Sequence, residues 1–534
     1  MITLLSAVLT VLAFPHWDQG YLIFFALAPL FYSFSIQKNA RGAVIHGLGF
    51  AFAMTMGGFY WVAHSLQHYG GLPVFISILG LIFFGFICQP QIPVFAWIFF
   101  HYTKKRKTSA DYPFVFLLAL ALLYTGIDWI MPKLFQDSFG HSQYLNRYMR
   151  QGADIGGVHF LTFLIVLWNL ALWVFFKWKS WRPLLASGLL LLANLGYGWY
   201  RENQITQMLN QNPPRVTLAA IQANIGDFDK IAAEKGVREA AFKVLESYLK
   251  LSQQALTLTP KPQAIIWPET AYPSVFRQPR TAAELERDQG VEKFVRQSQT
   301  PLLFGGYDTD TRSKQDSNAF FFLHPRPIPM NQGPEQDLRI YKKNVLLMFG
   351  EYIPGAEWIP QFKTWFPQVG YFLRGPGPEV LDIKTGDPQF PTLKVGPIIC
   401  YEALFPNYVI MAARQGSQLI LNITNDSWFG KYGEPYLHFA LTVFRGIETR
   451  LPQLRATNTG ISALVLPDGE IIQKTGVFEE TIFNVQVPIL PKMQTLVLLL
   501  GDWFGYFALG VGFLLLEYLK NPAQRTSLNP QKNR

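Results

Sequence analysis

At 534 residues the chain is too long for one compact domain, and with half its residues hydrophobic and only 15% charged it is not a wholly soluble protein. Its net charge of +10 comes without any RNA- or DNA-binding motif, so no nucleic-acid partner is called for; cations in an apolar chain more often mark membrane topology. Two cysteines, one inside an apolar run, exclude a disulfide scaffold and read as free thiols.

From the N-terminus, apolar runs of bilayer-spanning length fall at residues 2–14, 21–37, 44–66, 73–101, 114–131, 158–176 and 183–200, with an eighth at 495–519. They predict a transmembrane domain over 1–200, a block of soluble composition over 201–493, and a membrane helix with a basic tail over 494–534. The first run stops at Pro15, lacks a basic leader and a small-residue cleavage site, and is followed at once by another span; it reads as a retained membrane segment. Pro90 and Pro93 predict a kinked helix, or a helix plus a re-entrant piece, over 73–101.

Basic residues resist translocation and therefore report orientation. Lys38 and Arg41, the run KKRK at 104–107, Lys177, Lys179 and Arg182, and the tail residues Lys520, Arg525, Lys532 and Arg534 share one side if every run crosses once. That side is the cytoplasm, where these cations meet anionic head groups. Loops 15–20 and 67–72 carry no Lys or Arg, although loop 132–157 breaks the pattern with Lys133, Arg147 and Arg150. The soluble block then lies outside the cytoplasm.

Within that block, strand-like runs begin at 215 (RVTLAAIQANI), 263 (QAIIW), 301 (PLLFGGY), 318 (NAFFFL), 395 (VGPIIC), 418 (QLILNI), 461 (ISALVL) and 482 (IFNVQVPI). Amphipathic helical patterns lie between several of them, most clearly at 237–257 and 436–450. Nearly continuous apolar strands alternating with such helices predict an α/β layered domain whose sheets are covered on both faces. Residues 375–391 read as an ordered, Pro-rich excursion.

Reactive side chains collect where strands end, because a rigid scaffold holds distant sequence positions together there. IIWPET puts Glu269 after a Trp-Pro turn, YKKNVLLMFGEYIP offers Lys343 and Glu351, and IICYEALFP delivers Cys400 to a strand-to-helix elbow. A thiol attacks a carbonyl as thiolate and needs a base or a cation nearby. A partly buried carboxylate can take the proton, and an ammonium can favour the thiolate and the oxyanion. The backbone N–H of Tyr401 is placed to be a second oxyanion donor. Taken singly, each segment has a plainer reading: Cys400 as core, WPET as a turn, YKKN as surface cations.

As an ordered set these segments resemble the carbon-nitrogen hydrolase (nitrilase) superfamily, and together with the membrane runs they resemble its apolipoprotein N-acyltransferase family. The matching segments in the apolar part are LAFPHWDQGYLIFFALAPLF (12–31), GFYWVAHSLQHYGGLP (58–73) and SFGHSQYLNRYMRQGADIGGVHFLTFLI (138–165). In the soluble part IQANI, WPET, YKKN with FGEYIP, CYEALFP, NDSWFG and RATNTGISALVLPDG match in order. The resemblance implies an α+β membrane enzyme, with an eight-helix transmembrane body and an extracytoplasmic four-layer αββα nitrilase-like domain. It implies Glu269 as general base, Lys343 as stabiliser of thiolate and oxyanion, Cys400 as nucleophile, and Glu351 as an acid that positions them. Tyr401, Glu402 and Trp428 match active-site positions, and Asn318 and Asn425 supporting amides. Two departures stand out: Met348 replaces the usual Pro before FGE, and GDFDKI follows IQANI where some members carry a Trp.

The implied reaction is acyl transfer from a membrane phospholipid, through a Cys400 thioester, to the α-amine of diacylglyceryl-cysteine on a lipoprotein precursor, at the bacterial inner membrane with the catalytic domain in the periplasm. No metal or other cofactor is implied. The rivals are a membrane-tethered nitrilase or amidase hydrolysing a small C–N substrate, and a non-enzymatic membrane scaffold or lipid-binding protein. The aromatic segment at 357–373 is a candidate lid or interfacial anchor. His64 lies in an apolar run; Asp128 and Asp502, near run ends, read as interfacial or partnered across helices; His438 starts the helix after KYGEPY, with no metal-ligand spacing to recruit it; and Cys88 reads as packing.

Overall fold

The computed structural model describes residues 1–106, 108, 113–234, 236–325, 337–365, 369–388 and 390–520. The chain divides into two compact units, Met1–Asn203 together with the chain from Thr495, and Gln204–Gln494.

The first unit is helical: α1 (Ile2–Ala13), α2 (Ile23–Ser35), α3 (Ala40–Gly58), α4 (Trp61–His68), α5 (Val74–Ile87), α6 (Gln91–Thr103), α7 (Phe114–Ile130), α8 (Ala153–Trp178) and α9 (Arg182–Asn210). Two stretches of 30 residues, Val74–Thr103 and Met149–Trp178, are long and apolar enough to cross a membrane. A third appears if α3 and α4, bent by 61°, are one broken span. The run expected as one span at 44–66 is therefore two helices. Gly157, at φ 67° and ψ −172°, breaks α8 in a conformation that only glycine takes without strain. Pro29 sits inside α2, and the buried amide of Asn169 joins that helix nearby: its Oδ1 accepts from the Leu27 and Ala28 N–H groups at 3.0 Å, and its Nδ2 donates to the Ile23 carbonyl at 2.9 Å. Asp128 pairs with Lys133 at 3.0 Å, and Asp502 accepts from the Trp129 indole at 2.8 Å, so both aspartates are partnered. Cys88 is a buried free thiol. Of the cations used for orientation, Lys107 and the tail residues Arg525, Lys532 and Arg534 lie outside the described residues.

The second unit runs β1 (Arg215–Gln222), α10 (Asp227–Glu234), α11 (Arg238–Ala255), β2 (Ala264–Ile266), α12 (Ala282–Ser298), β3 (Leu302–Thr309), β4 (Asp316–Leu323), β5 (Leu338–Lys342), α13 (Gln361–Trp365), β6 (Leu381–Lys384), β7 (Thr392–Ile399), α14 (Pro406–Arg414), β8 (Leu419–Thr424), α15 (Glu434–Thr449), β9 (Gln453–Thr457), β10 (Ala463–Val465), β11 (Ile471–Lys474) and β12 (Thr481–Pro488). The chain then returns to the first unit with α16 (Leu496–Leu500) and α17 (Trp503–Lys520).

Two six-stranded sheets result, ordered β12-β1-β2-β3-β4-β5 and β11-β10-β9-β8-β7-β6. Each has three adjacent parallel strands at its centre, β1 to β3 and β7 to β9. Alternate residues of the first sheet, among them Ile221, Trp267, Phe304 and Phe321, pack against Val244 and Tyr248 of α11 and Val291 and Phe294 of α12. The residues between them, such as Leu218, Ile266, Leu303 and Phe320, are equally buried, because the second sheet covers that face, β1 meeting β9 and β4 meeting β7. Helices α14 and α15 cover the second sheet's outer face. The order is helix, sheet, sheet, helix, as the apolar strands required.

Four strands were not singled out by the sequence: β5, β6, β9 and β11. Three are edge strands, with mixed or exposed residues that carry no apolar signal, and β6 lies inside the stretch expected to be an excursion.

Gly305 of β3 shows how tightly the WPET loop is laid on its neighbour. A Cβ there would stand 2.6 Å from the Glu269 Cα and from the Pro268 carbonyl oxygen. Gly305→Ala is expected to destabilise the unit by about 1–3 kcal/mol, read as a lower thermal unfolding midpoint of the full-length protein in detergent.

Candidate active site

Strand ends at one end of each sheet carry the chemistry. After β2, the Trp267 N–H donates to the Leu303 carbonyl at 2.8 Å, the Gly305 N–H to the Pro268 carbonyl at 3.2 Å, and the Tyr272 N–H to the Gly305 carbonyl at 2.9 Å. These bonds fix Glu269 against β3, and Thr270 turns the chain at φ 50°. After β5, the Lys343 N–H donates to the Asn318 carbonyl at 2.9 Å, which prolongs the β4–β5 ladder by one residue and sets the lysine opposite that asparagine.

The side chains converge on one buried ammonium. Lys343 Nζ donates to Glu351 Oε1 at 2.9 Å and to Glu269 Oε1 at 3.2 Å. Asn318 Nδ2 donates to the same two oxygens, at 2.7 Å to Glu269 and 3.0 Å to Glu351. The remaining oxygens are held by backbone: Glu269 Oε2 by the Asn425 N–H at 3.0 Å, Glu351 Oε2 by the Leu347 N–H at 2.8 Å. Burial opposes the charge on Lys343, but Glu269, Glu351 and Cys400 hold its pKa well above the usual ammonium range.

Cys400 follows the last residue of β7 at φ 49°, a left-handed conformation unusual for a residue with a Cβ, and opens a short 3-10 turn, Cys400–Leu404. What imposes it is Glu402, fully buried beneath the turn. Its Oε2 accepts from the Ile399 N–H at 2.8 Å and the Tyr341 hydroxyl at 2.7 Å; its Oε1 accepts from the Asn344 N–H at 2.6 Å and the Val345 N–H at 3.2 Å. One carboxyl therefore ties the cysteine elbow to the segment that carries Lys343. Burial pushes Glu402 up to about 7, against the pull of its Ile399, Tyr341 and Asn344 donors. Burial, then Glu269, pushes the Cys400 thiol well above its ordinary value, with Lys343 and the Thr424 hydroxyl pulling the other way. The resting sulfur is a neutral thiol beside a carboxylate and an ammonium, so a nucleophilic role would require a base to take its proton.

Tyr401 is buried with its ring edge-on to Phe405, centroids 5.1 Å apart. Asn425 uses its backbone on Glu269, and its side-chain oxygen, with the amide turned to suit its neighbours, accepts from Lys230 Nζ at 2.6 Å and from the Trp428 indole at 3.2 Å. Lys230, which the sequence reading passed over, is buried, donates to the Glu269 carbonyl at 3.3 Å and lies 5.9 Å from the centroid of the half-buried Trp428 ring. Its only sequence signal is its place in GDFDKI, shortly after IQANI.

His438 lies in the second turn of α15 rather than at its start, and it too belongs near the site. Asp426, Glu434 and His438 bring three potential metal-ligand atoms within 4.8 Å of one another. A cation's place there is already filled by Arg455, whose Nη2 donates to Asp426 Oδ2 at 2.9 Å. We therefore read the cluster as an ion-pair network and not as a metal centre.

The Apolipoprotein N-acyltransferase N-terminal domain model matches residues 6–171, and the Carbon-nitrogen hydrolase model matches residues 217–489. The apolipoprotein N-acyltransferase of Bdellovibrio bacteriovorus is 31% identical over 481 residues, 88% of this chain and 83% of that protein. The chain belongs to the apolipoprotein N-acyltransferase family. The family's member from Geobacter metallireducens is 29% identical over 505 residues, 91% of this chain and 89% of its own. Among solved structures, Saccharomyces cerevisiae Nit3, a member of branch 10 of the nitrilase superfamily, aligns with 51% of this chain and 90% of its own at 15% identity and a TM-score of 0.37. As a member of the family this protein is an acyltransferase.

Two outcomes follow for an acyltransferase site built this way. Glu402→Gln turns an amide NH2 toward backbone donors; each N–H so orphaned costs about 1–3 kcal/mol, and both thermal stability and the acylation rate are expected to fall, the rate by more than about tenfold. With the thiol raised, labelling of Cys400 by iodoacetamide is expected to climb about tenfold per pH unit from about 7 to 9 without a plateau, followed by peptide mass spectrometry to separate it from Cys88.

Proposed function

We propose that the protein transfers a fatty acyl chain from a membrane phospholipid to the N-terminal α-amine of diacylglyceryl-cysteine in apolipoproteins, through a thioester on Cys400. The observation that carries this reading is the Lys343 ammonium held between Glu269 and Glu351 beside the Cys400 thiol, in a chain of this family.

In the first half-reaction Glu269 takes the thiol proton while Cys400 Sγ attacks an ester carbonyl of the phospholipid. The oxyanion that forms is stabilised by Lys343 and by the Tyr401 N–H. The ester C–O bond then breaks, Glu269 returns the proton to the departing lysophospholipid, and the acyl group remains on sulfur. In the second half the α-amine attacks the thioester, Glu269 accepts its proton and passes it to the leaving thiolate, and an amide results. Ping-pong kinetics follow. Glu351 and Asn318 hold Glu269 and Lys343 in register, while Glu402 and Asn425 do the same for the elbow and the base.

The apolar helices of the first unit support a bilayer setting. In this reading residues 1–200 and 494–534 form an eight-crossing membrane body, residues 201–493 form the catalytic domain, and the short-loop cations put that domain on the periplasmic face of the inner membrane. Water at about 55 M competes with a scarce amine, and anchoring both substrates at one depth supplies effective molarities on the order of 10⁵ M. The segment that carries Glu351 also exposes Phe349, Trp358, Ile359 and Trp365, side chains suited to contact acyl chains or the interface.

The test is an intact-mass measurement of purified protein incubated with phospholipid alone. A fatty-acyl adduct that hydroxylamine removes, absent in Cys400→Ala and formed about 10²–10⁴-fold more slowly in Glu269→Gln, is the expected result. A diacylglyceryl-cysteine peptide then discharges the adduct onto itself. Release as free fatty acid would mark a hydrolase, and no adduct under any condition would overturn the proposal.

A further inference from the structure

Behind the sulfur lies a polar chain that the reaction as drawn does not use. Strands β7 and β8 are paired in parallel up to Ile399 and Ile423, so the next residues in register are Cys400 and Thr424. The two residues are therefore neighbours at the adjoining strand ends, where β7 gives way to the turn that carries the sulfur. Thr424 is fully buried, and bonding by its hydroxyl is one of the influences that favour ionisation of the Cys400 thiol. The same hydroxyl donates to Asp426 Oδ1 at 3.1 Å.

A threonine hydroxyl has a single proton to donate. Here two acceptors stand within its reach, the Asp426 carboxylate and, once Cys400 is deprotonated, the thiolate. Asp426 is well supplied without Thr424. Its Oδ1 accepts from His438 Nδ1 at 3.1 Å, and its Oδ2 from Arg455 Nη2 at 2.9 Å. Arg455 is itself fixed by a bond from Nη1 to Asn422 Oδ1 at 2.8 Å, and His438 also lies 3.4 Å from Glu434. Gly460 closes the cluster, since any side chain there would run into the Asp426 carboxylate.

We propose that Thr424 is a switchable hydrogen-bond donor to the Cys400 sulfur, bonding Asp426 in the resting thiol state and rotating to the sulfur when it becomes anionic. His438 and Arg455 are the positioning residues that let Asp426 release it. Rotation about the Cβ–Oγ bond moves only a hydrogen, so the switch needs no rearrangement of the packed core. The charged groups facing the sulfur are Glu269 and Asp426, which oppose the thiolate, and Lys343, which favours it. Those facing His438 are Asp426, Glu434 and Arg455. The inference rests on Cys400 being the nucleophile, and it adds a donor that acts when the thiolate forms in the first half-reaction and again when it leaves in the second.

The experiment measures iodoacetamide labelling of Cys400 against pH in the full-length protein, alongside formation of the acyl adduct from phospholipid. A hydrogen bond to an ionised sulfur is worth about one pH unit in the thiol's ionisation. Thr424→Val, nearly isosteric, is expected to label about tenfold more slowly than wild type at each pH, and Thr424→Ser to recover most of that loss with no change in unfolding midpoint. Should the valine variant fail to fold, Thr424→Ala carries the same expectation. His438→Gln is expected to slow labelling in the wild-type background and to have little effect beside Thr424→Val. Unchanged labelling in both Thr424→Val and Thr424→Ala, or a serine variant as slow as the valine one, would overturn the switch while an intact acyl adduct left the nucleophile in place. A shifted labelling profile with no acyl adduct in wild type would instead overturn the assignment of Cys400 as nucleophile.

Discussion

A buried ammonium shared by two carboxylates is the constraint from which the site is built. Removing Lys343, Glu269 and Glu351 from water costs several kcal/mol per ion, and only close geometry with every remaining oxygen hydrogen-bonded makes that tolerable. The structure meets both conditions: Asn318 bridges the two acids, and the Asn425 and Leu347 N–H groups hold the outer oxygens. Because the cluster draws on strand β4 and on the loops after β2, β5 and β8, satisfying the ammonium also sets the mutual position of those four segments. An apolar replacement of the same volume would pack as well, so the cluster is an expense that chemistry explains better than stability does.

The two sheets divide the labour. The first carries the Glu269 carboxylate and the Lys343 ammonium on the loops after β2 and β5; the second carries the Cys400 sulfur after β7 and the backbone donor to Glu269 after β8. Glu402 joins the halves by accepting bonds from Ile399 and from Tyr341, Asn344 and Val345. The strained backbone at Cys400 survives because this carboxyl over-determines it. A raised thiol beside a charged lysine keeps the sulfur neutral until a base removes its proton.

Much of this could be read from the residues alone. Eight of the strands carry enough β-branched and aromatic residues to announce themselves, and the helices at α11 and α15 show a clear apolar stripe. The edge strands β5, β6 and β11 do not, since a half-exposed strand has the composition of a loop. Strand β9 was hidden for the opposite reason: it is wholly buried but contains Arg455, whose charge is intelligible only once Asp426 and His438 stand beside it. Glu269, Lys343, Glu351 and Cys400 could be picked out as strand-end residues with the right chemistry. Lys230 and Thr424 could not, because their meaning lies in pairings across the fold, to Asn425 and to Cys400, that no local pattern encodes. The bend between α3 and α4 was likewise invisible in an unbroken apolar run.

The buried ammonium is the hub of this account: Glu351 acts on the chemistry chiefly by holding Lys343. Rates of Cys400 acylation by phospholipid in Lys343→Met, Glu351→Gln and the double variant test it most directly. The account predicts that the double variant is little slower than Lys343→Met alone; losses that multiply would contradict it.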